Sequence, residues 1–186
     1  MNPGMKLIIM LVTALCFWSS LFFFASCSDH PEKRAVEIAE RALKATVDNP
    51  ESIQIKGISK ADSVFGKEYV NPHEKAALSM HLMQYGHKLM EETDYFQNLD
   101  KDDTAMRDQV TRQLDAMTTL RALIAYGELE GANPNKAKEM KPFNGWKVKI
   151  DFEAKTLKGK PYHSDYWFIL DKESEIVVIS FEKPLL

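Results

Sequence analysis

Three neighbours in the chain, His163, Ser164 and Asp165, have the residue types of a nucleophilic relay. Such a relay needs the base within hydrogen-bond reach of the hydroxyl and an acid behind the base. Adjacent strand residues project to alternate sides, so these three cannot form one relay with each other. No G-x-S-x-G turn accompanies them, and they read as polar strand or turn positions. Histidines elsewhere raise the question of a metal. His81 and His87 are six apart and fall on different faces of a helix, whereas His87 and Glu91, four apart, can touch. His73 lies two turns before His81. No H-E-x-x-H or cysteine pair completes a zinc set, so solvated helix side chains are the simpler reading. Asp100, Lys101, Asp102 and Asp103 cluster oxygen ligands but lack the glycine and distant glutamate of an EF-hand loop. A solvated turn that caps a helix explains them. No catalytic, metal or cofactor-binding residue is assigned.

Other side chains suit binding better. Met80, Met83, Met90, Met106 and Met117 fall in one helical region, and methionine adapts its shape to varied surfaces. Packing between helices accounts for such residues, and those left off the seam become the surface to test for a partner. Tyr162, Tyr166 and Trp167 sit at one end of a strand pair, with Trp146 in reach from the neighbouring strand. Exposed rings there would stack on sugars or peptides; buried sheet packing is the economical alternative. The candidate partner-binding residues are Met80, Met83, Met90, Tyr166 and Trp167.

The amino terminus carries the clearest local signal. Lys6 is the only charge among residues 1–26, and an apolar run from Leu7 leads to Phe24-Ala25-Ser26-Cys27. Basic start, apolar middle and small residues before a cut are the layout of a secretory signal peptide. Those last four residues resemble the lipobox of bacterial lipoproteins, with Phe24 standing where leucine is commonest. The resemblance implies removal of residues 1–26 and a diacylglyceryl and acyl lipid on Cys27, with no other cofactor. It also implies an address in the bacterial cell envelope, facing periplasm or surface, held to the membrane by the lipid. Ser28, which is not aspartate, favours the outer membrane where the cell has one. Cysteine usage agrees: the chain has two, and Cys16 lies in the segment that would be removed. The mature chain then holds one thiol without a disulfide partner, and thioether linkage accounts for it. An uncleaved anchor is the alternative, since about 20 apolar residues also span a bilayer.

Loss of the leader's one lysine takes the net charge from −3 to −4. Mild acidity without a basic stripe argues against nucleic acid. The expected organisation is a signal peptide (1–26), a lipidated cysteine with a short tether (27–32), and a single α+β domain (33–186). An amphipathic helix over 31–47 carries Val36, Ala39, Leu43 and Val47 at helical spacing. Residues 52–59 alternate as a strand, with Gly57 marking a bulge. Two long apolar stripes within 72–130 form an inserted αα-hairpin, its first arm begun by Asn71-Pro72-His73-Glu74 and its second by Asp103 or Thr104. Residues 131–142 read as a linker. Trp146, Val148, Ile150 and Phe152 alternate with Lys147, Lys149, Asp151 and Glu153, predicting one buried and one wet face. Residues 166–170 and 176–179 read as interior strands that complete a three-stranded meander, with 52–59 as a fourth strand.

Helix followed by a curved antiparallel sheet resembles cystatin-like or nuclear-transport-factor-like architectures by element order. Such folds host many functions. The sequence therefore supports a non-catalytic, membrane-anchored envelope domain that binds a protein partner or small ligand. An envelope enzyme with a cleft in the sheet, and a structural lipoprotein that self-assembles, are the alternatives.

Overall fold

The computed structural model describes residues 30–66, 68–97, 103–125 and 142–185. Residues 24–27, read as resembling a lipobox, residues 100–102 of the acidic cluster and all of the 131–142 linker except Pro142 lie outside the described residues. The unit Pro31–Leu186 contains every element discussed here. Among the described residues it is an α+β unit with three α-helices and an open antiparallel sheet of five strands.

Helix α1 (Pro31–Thr46) starts with proline, whose missing N–H costs nothing in a first turn. Ala35, Ala39 and Leu43 are fully buried, and the two alanines let the helix axis approach the sheet closely. After a short 3-10 turn (Pro50–Ser52) come β1 (Gln54–Ile58) and β2 (Asp62–Phe65), then β3 (Phe143–Lys155), β4 (Pro161–Leu170) and β5 (Val177–Pro184). The strand order is β1-β3-β4-β5, and β2 also pairs with β3. The bulge expected at Gly57 is present: the β1–β3 register shifts between Ile55 and Gly57.

Alternation divides β3 and β4 into two faces. Val148, Ile150, Phe152, Phe168 and Leu170 pack under α1 and have no exposed surface. Trp167, on the opposite face, joins Phe181, Leu78, Leu120 and Val70 in a second core. That second core exists because α2 (Pro72–Glu92) and α3 (Thr104–Ala125) lie over this face. The hairpin packs on the sheet, and the sheet is a middle layer.

This cover corrects two expectations. Lys147, read as belonging to a wet face, is only 6% exposed because α2 crosses above it. Its Nζ donates to both carboxylate oxygens of Glu74 (2.7 and 2.6 Å), and Lys149 Nζ adds a third bond at 3.0 Å. The second correction concerns β5, which is an edge strand and not an interior one. Ile179 and Phe181 face the hairpin, while Ile176 and Val178 are exposed beside a register shift.

Glu74 also closes a capping box: it accepts from the Asn71 N–H, and its own N–H donates to Asn71 Oδ1. Burial raises its pKa, but bonds from Lys147, Asn71 and Lys149 outweigh this and hold it below the ordinary 4.5. A depressed folded pKa gives stabilisation that is complete above the unfolded value and is lost as pH falls through the folded one. Glu74→Gln strands two lysines beneath α2 and should cost about 3 kcal/mol. Urea denaturation at pH 7 measures this, and the gap between variant and parent should narrow below pH 4.5.

Candidate functional site

Two of the concave surfaces on this frame bear on function. The first is a polar cleft between the carboxyl-terminal end of α1, the side of α3, and strands β4 and β5, with a volume of about 410 Å³. Arg112 of α3 forms its centre. The guanidinium carbon sits 3.4 Å from the ring centroid of Tyr162, and Nη2 donates to Glu182 Oε1 at 2.6 Å. Glu182 is 12% exposed and accepts a second bond, at 2.5 Å, from Ser164 Oγ. Planar stacking and a directed N–H together fix the guanidinium in one plane. Asp48, Asp108 and Asp115 stand around the mouth, so the lining holds four carboxylates and one guanidinium.

Burial pushes the Tyr162 hydroxyl up to about 12, and Arg112 only partly opposes it. Tyr85, which with Arg112 and Tyr162 lines a smaller adjoining pocket, is likewise pushed up to about 12 by burial. Tyr166 shifts upward for the same reason, with Glu182 adding to it. These hydroxyls keep their protons at neutral pH and serve as hydrogen-bond donors, not as bases. The cleft offers donors, aromatic faces and a negatively charged rim, a set that suits holding a ligand with a positive group.

The second surface is an apolar groove of about 490 Å³ on the outer side of the hairpin. Leu82, Met83, Met90, Leu114 and Met117 line it. Gly86 lets the helices approach, since a Cβ there would meet Met117 Cε at 3.2 Å. Met83 is 69% exposed, Met80 59% and Met90 40%. The seam does not absorb these three, whereas Met106 and Met117 are half-buried.

The remaining residues singled out from sequence separate. Ser164 bonds Glu182, His163 Nε2 lies 2.5 Å from Asp151, and Lys183 donates to Asp165 at 2.6 Å. The three neighbours thus serve three different contacts, as strand alternation requires. Trp167 is not available to a partner: it is 5% exposed, with Lys149 Nζ 4.1 Å from its ring centroid and Phe181 beside it. Tyr166 stacks on Phe168 at 4.9 Å under α1 and lines the cleft. Trp146 does not join them, because the register places it opposite Leu170, whereas Tyr166 lies opposite Ile150. His87 and Glu91 pair at 3.5 Å in the open, as their spacing suggested, and His73 is exposed. His81, read as solvated, is half-buried with Nε2 2.5 Å from the Pro184 carbonyl oxygen. Asp103 Oδ1 accepts from the N–H groups of Ala105 and Met106 and caps α3.

Arg112 and Glu182 were not found from sequence. A lone arginine on a helix and a glutamate near the chain end carry no spacing signal, and 70 residues separate them.

No protein family, curated protein or solved structure matches this chain. Among the described residues no helix is long and apolar enough to cross a membrane, and no three His, Cys, Asp or Glu gather as metal ligands would.

Removing Arg112 leaves the Glu182 carboxylate, largely buried, with a neutral partner only. Arg112→Met should lower unfolding free energy by about 2–3 kcal/mol. Thermal melts at pH 7 measure it, and Arg112→Met/Glu182→Leu, which removes both charges, should recover part of the loss.

Proposed function

We propose that this chain is a lipid-anchored lipoprotein of the bacterial cell envelope whose domain binds a partner protein through the outer face of its helical hairpin. The lipobox-like Phe24-Ala25-Ser26-Cys27 supports the anchor. The exposure of Met80, Met83 and Met90 beside the groove carries the binding reading. A groove between two helices, floored by apolar side chains, fits an amphipathic helix laid along it. Burying one such side chain against a partner is favourable by about 1.5–3 kcal/mol, so a few anchors suffice. Methionine's flexible thioether adjusts to the partner's shape.

Site-specific photocrosslinking in the producing cell tests this. A crosslinking residue at Met83 should give one dominant adduct, and the same residue at Leu157, which is 74% exposed on the β3–β4 turn, should not. Met90→Glu should abolish the Met83 adduct without changing the thermal midpoint, because it alters an exposed position. Equal adducts from both positions would sink the reading.

The polar cleft favours a second reading, a small ligand bearing an ammonium or guanidinium group. Spermidine titrated by calorimetry should give binding heat that Ser180→Trp removes by filling the cleft. Heat unchanged by that substitution counts against it.

A further inference from the structure

One end of the sheet combines a fastened chain terminus with an exposed phenylalanine and an exposed isoleucine. The Pro31 carbonyl accepts a 2.8 Å hydrogen bond from Ser174 Oγ, a fully buried residue in the turn between β4 and β5. Arg34, one turn along α1, pairs with Glu175 of the same turn at 3.5 Å. The start of α1 is thereby tied to the end of the sheet where β4 finishes and β3 begins.

The aromatic rings lie at that end. Phe65, the last residue of β2, pairs with Phe143, the first of β3. Their ring centroids are 5.9 Å apart, and Phe143 continues to Trp146 at 5.2 Å. Trp146 Nε1 donates at 3.1 Å to the Lys172 carbonyl in the β4–β5 turn, which links the string of rings to the fastened terminus. Phe65 is nevertheless 52% exposed and Ile176, in the same turn, 64%. The domain's own core does not use them.

We propose that this end of the domain, presenting the exposed Phe65 and Ile176 with Phe143 and Trp146 half-buried beside them, rests on the lipid bilayer that holds the anchor. This rests on the lipoprotein reading of Cys27. Four residue steps separate Cys27 from Pro31, so extended chain spans at most about 14 Å between them. With the lipid of Cys27 in the bilayer, the start of α1 cannot leave the headgroup region by more than that. The end of the sheet to which Ser174 ties it is held at the same level. Exposed phenylalanine and isoleucine gain by burial below the headgroups, and the half-buried Trp146, through its bond to the Lys172 carbonyl, holds the turn that carries Ile176. Charge does not drive the contact: Lys33, Arg34 and Lys172 at this end stand among Glu32, Asp171, Glu173 and Glu175, so no excess of positive charge faces the headgroups. The association is therefore insensitive to salt. The Arg112 cleft adjoins the far end of α1, about 24 Å along a helix of this length.

The test uses the full chain purified from membranes and reconstituted in phosphatidylethanolamine–phosphatidylglycerol vesicles, with or without bromine-bearing acyl chains. Phe65→Cys and Leu157→Cys variants each carry an environment-sensitive dye. Any labelling of native cysteines is common to both, so the difference reports the new position. Emission from position 65 should shift to the blue and be at least halved by the bromines, at low and high salt alike. Emission from position 157 should remain water-like. Equal, water-like emission from both positions in protein that floats with the vesicles overturns the proposal. Ile176→Cys gives the same reading at the same end if Phe65→Cys does not fold. Intact mass of each sample separates the two claims. A chain that keeps residues 1–26 without added lipid ends the lipoprotein reading. The dye comparison still decides the bilayer contact in that case, because an uncleaved span would end at the same short distance from Pro31.

Discussion

The Glu74 carboxylate, held by Lys147, Lys149 and the Asn71 N–H, is the interaction on which the three-layer arrangement depends. Two lysines on the inner part of a sheet face cannot be covered by a helix unless their charge is met. Glu74 meets it from the first turn of α2, where its own helix cap already fixes its position. One side chain thus starts the helix, neutralises the sheet face, and sets where the hairpin lands. Trp167 then fills the space beside Lys149, and Leu78, Leu120 and Phe181 close over it. Removing the charge match would leave the second core with no stable lid.

Placing the hairpin in this way produces both candidate surfaces. With α3 beside β5, Arg112 is set against Tyr162 and Glu182, and the gap to the end of α1 becomes a cleft. With the inner side of the hairpin spent on the sheet, its outer side keeps Met80, Met83 and Met90 in water. The cleft is polar and already satisfied internally, since Arg112 and Ser164 both bond Glu182. The groove is mainly apolar, with His87, Thr118 and Arg121 also in its lining, and gains most where its apolar side chains are covered. That contrast supports a macromolecular partner for the groove and a small charged ligand for the cleft.

The elements were legible because each follows a local rule. α1, the αα-hairpin, the Gly57 bulge and the β3–β4–β5 meander follow from periodicity, capping residues and turn chemistry that act within a few residues. β2 was missed: Asp62–Phe65 is four residues long, with Val64 its only buried side chain, too short for alternation to register. The face of β3 that carries Lys147 was misread because alternation distinguishes residue types, not exposure. A lysine under a helix and a lysine in water leave the same pattern.

The sequence by itself determined the helices, four of the five strands and the α+β class, since these are written in neighbouring residues. Only the tertiary structure decided that the hairpin lies on the sheet, that Trp167 is core, and that β5 is an edge. It alone brought Arg112 to Glu182 across 70 residues, and Phe65 to Phe143 across 78. The physical reason is range. Propensity, capping and amphipathic spacing are fixed by the local chain, whereas charge neutralisation under α2 and ring packing at the sheet's end depend on which distant surfaces meet.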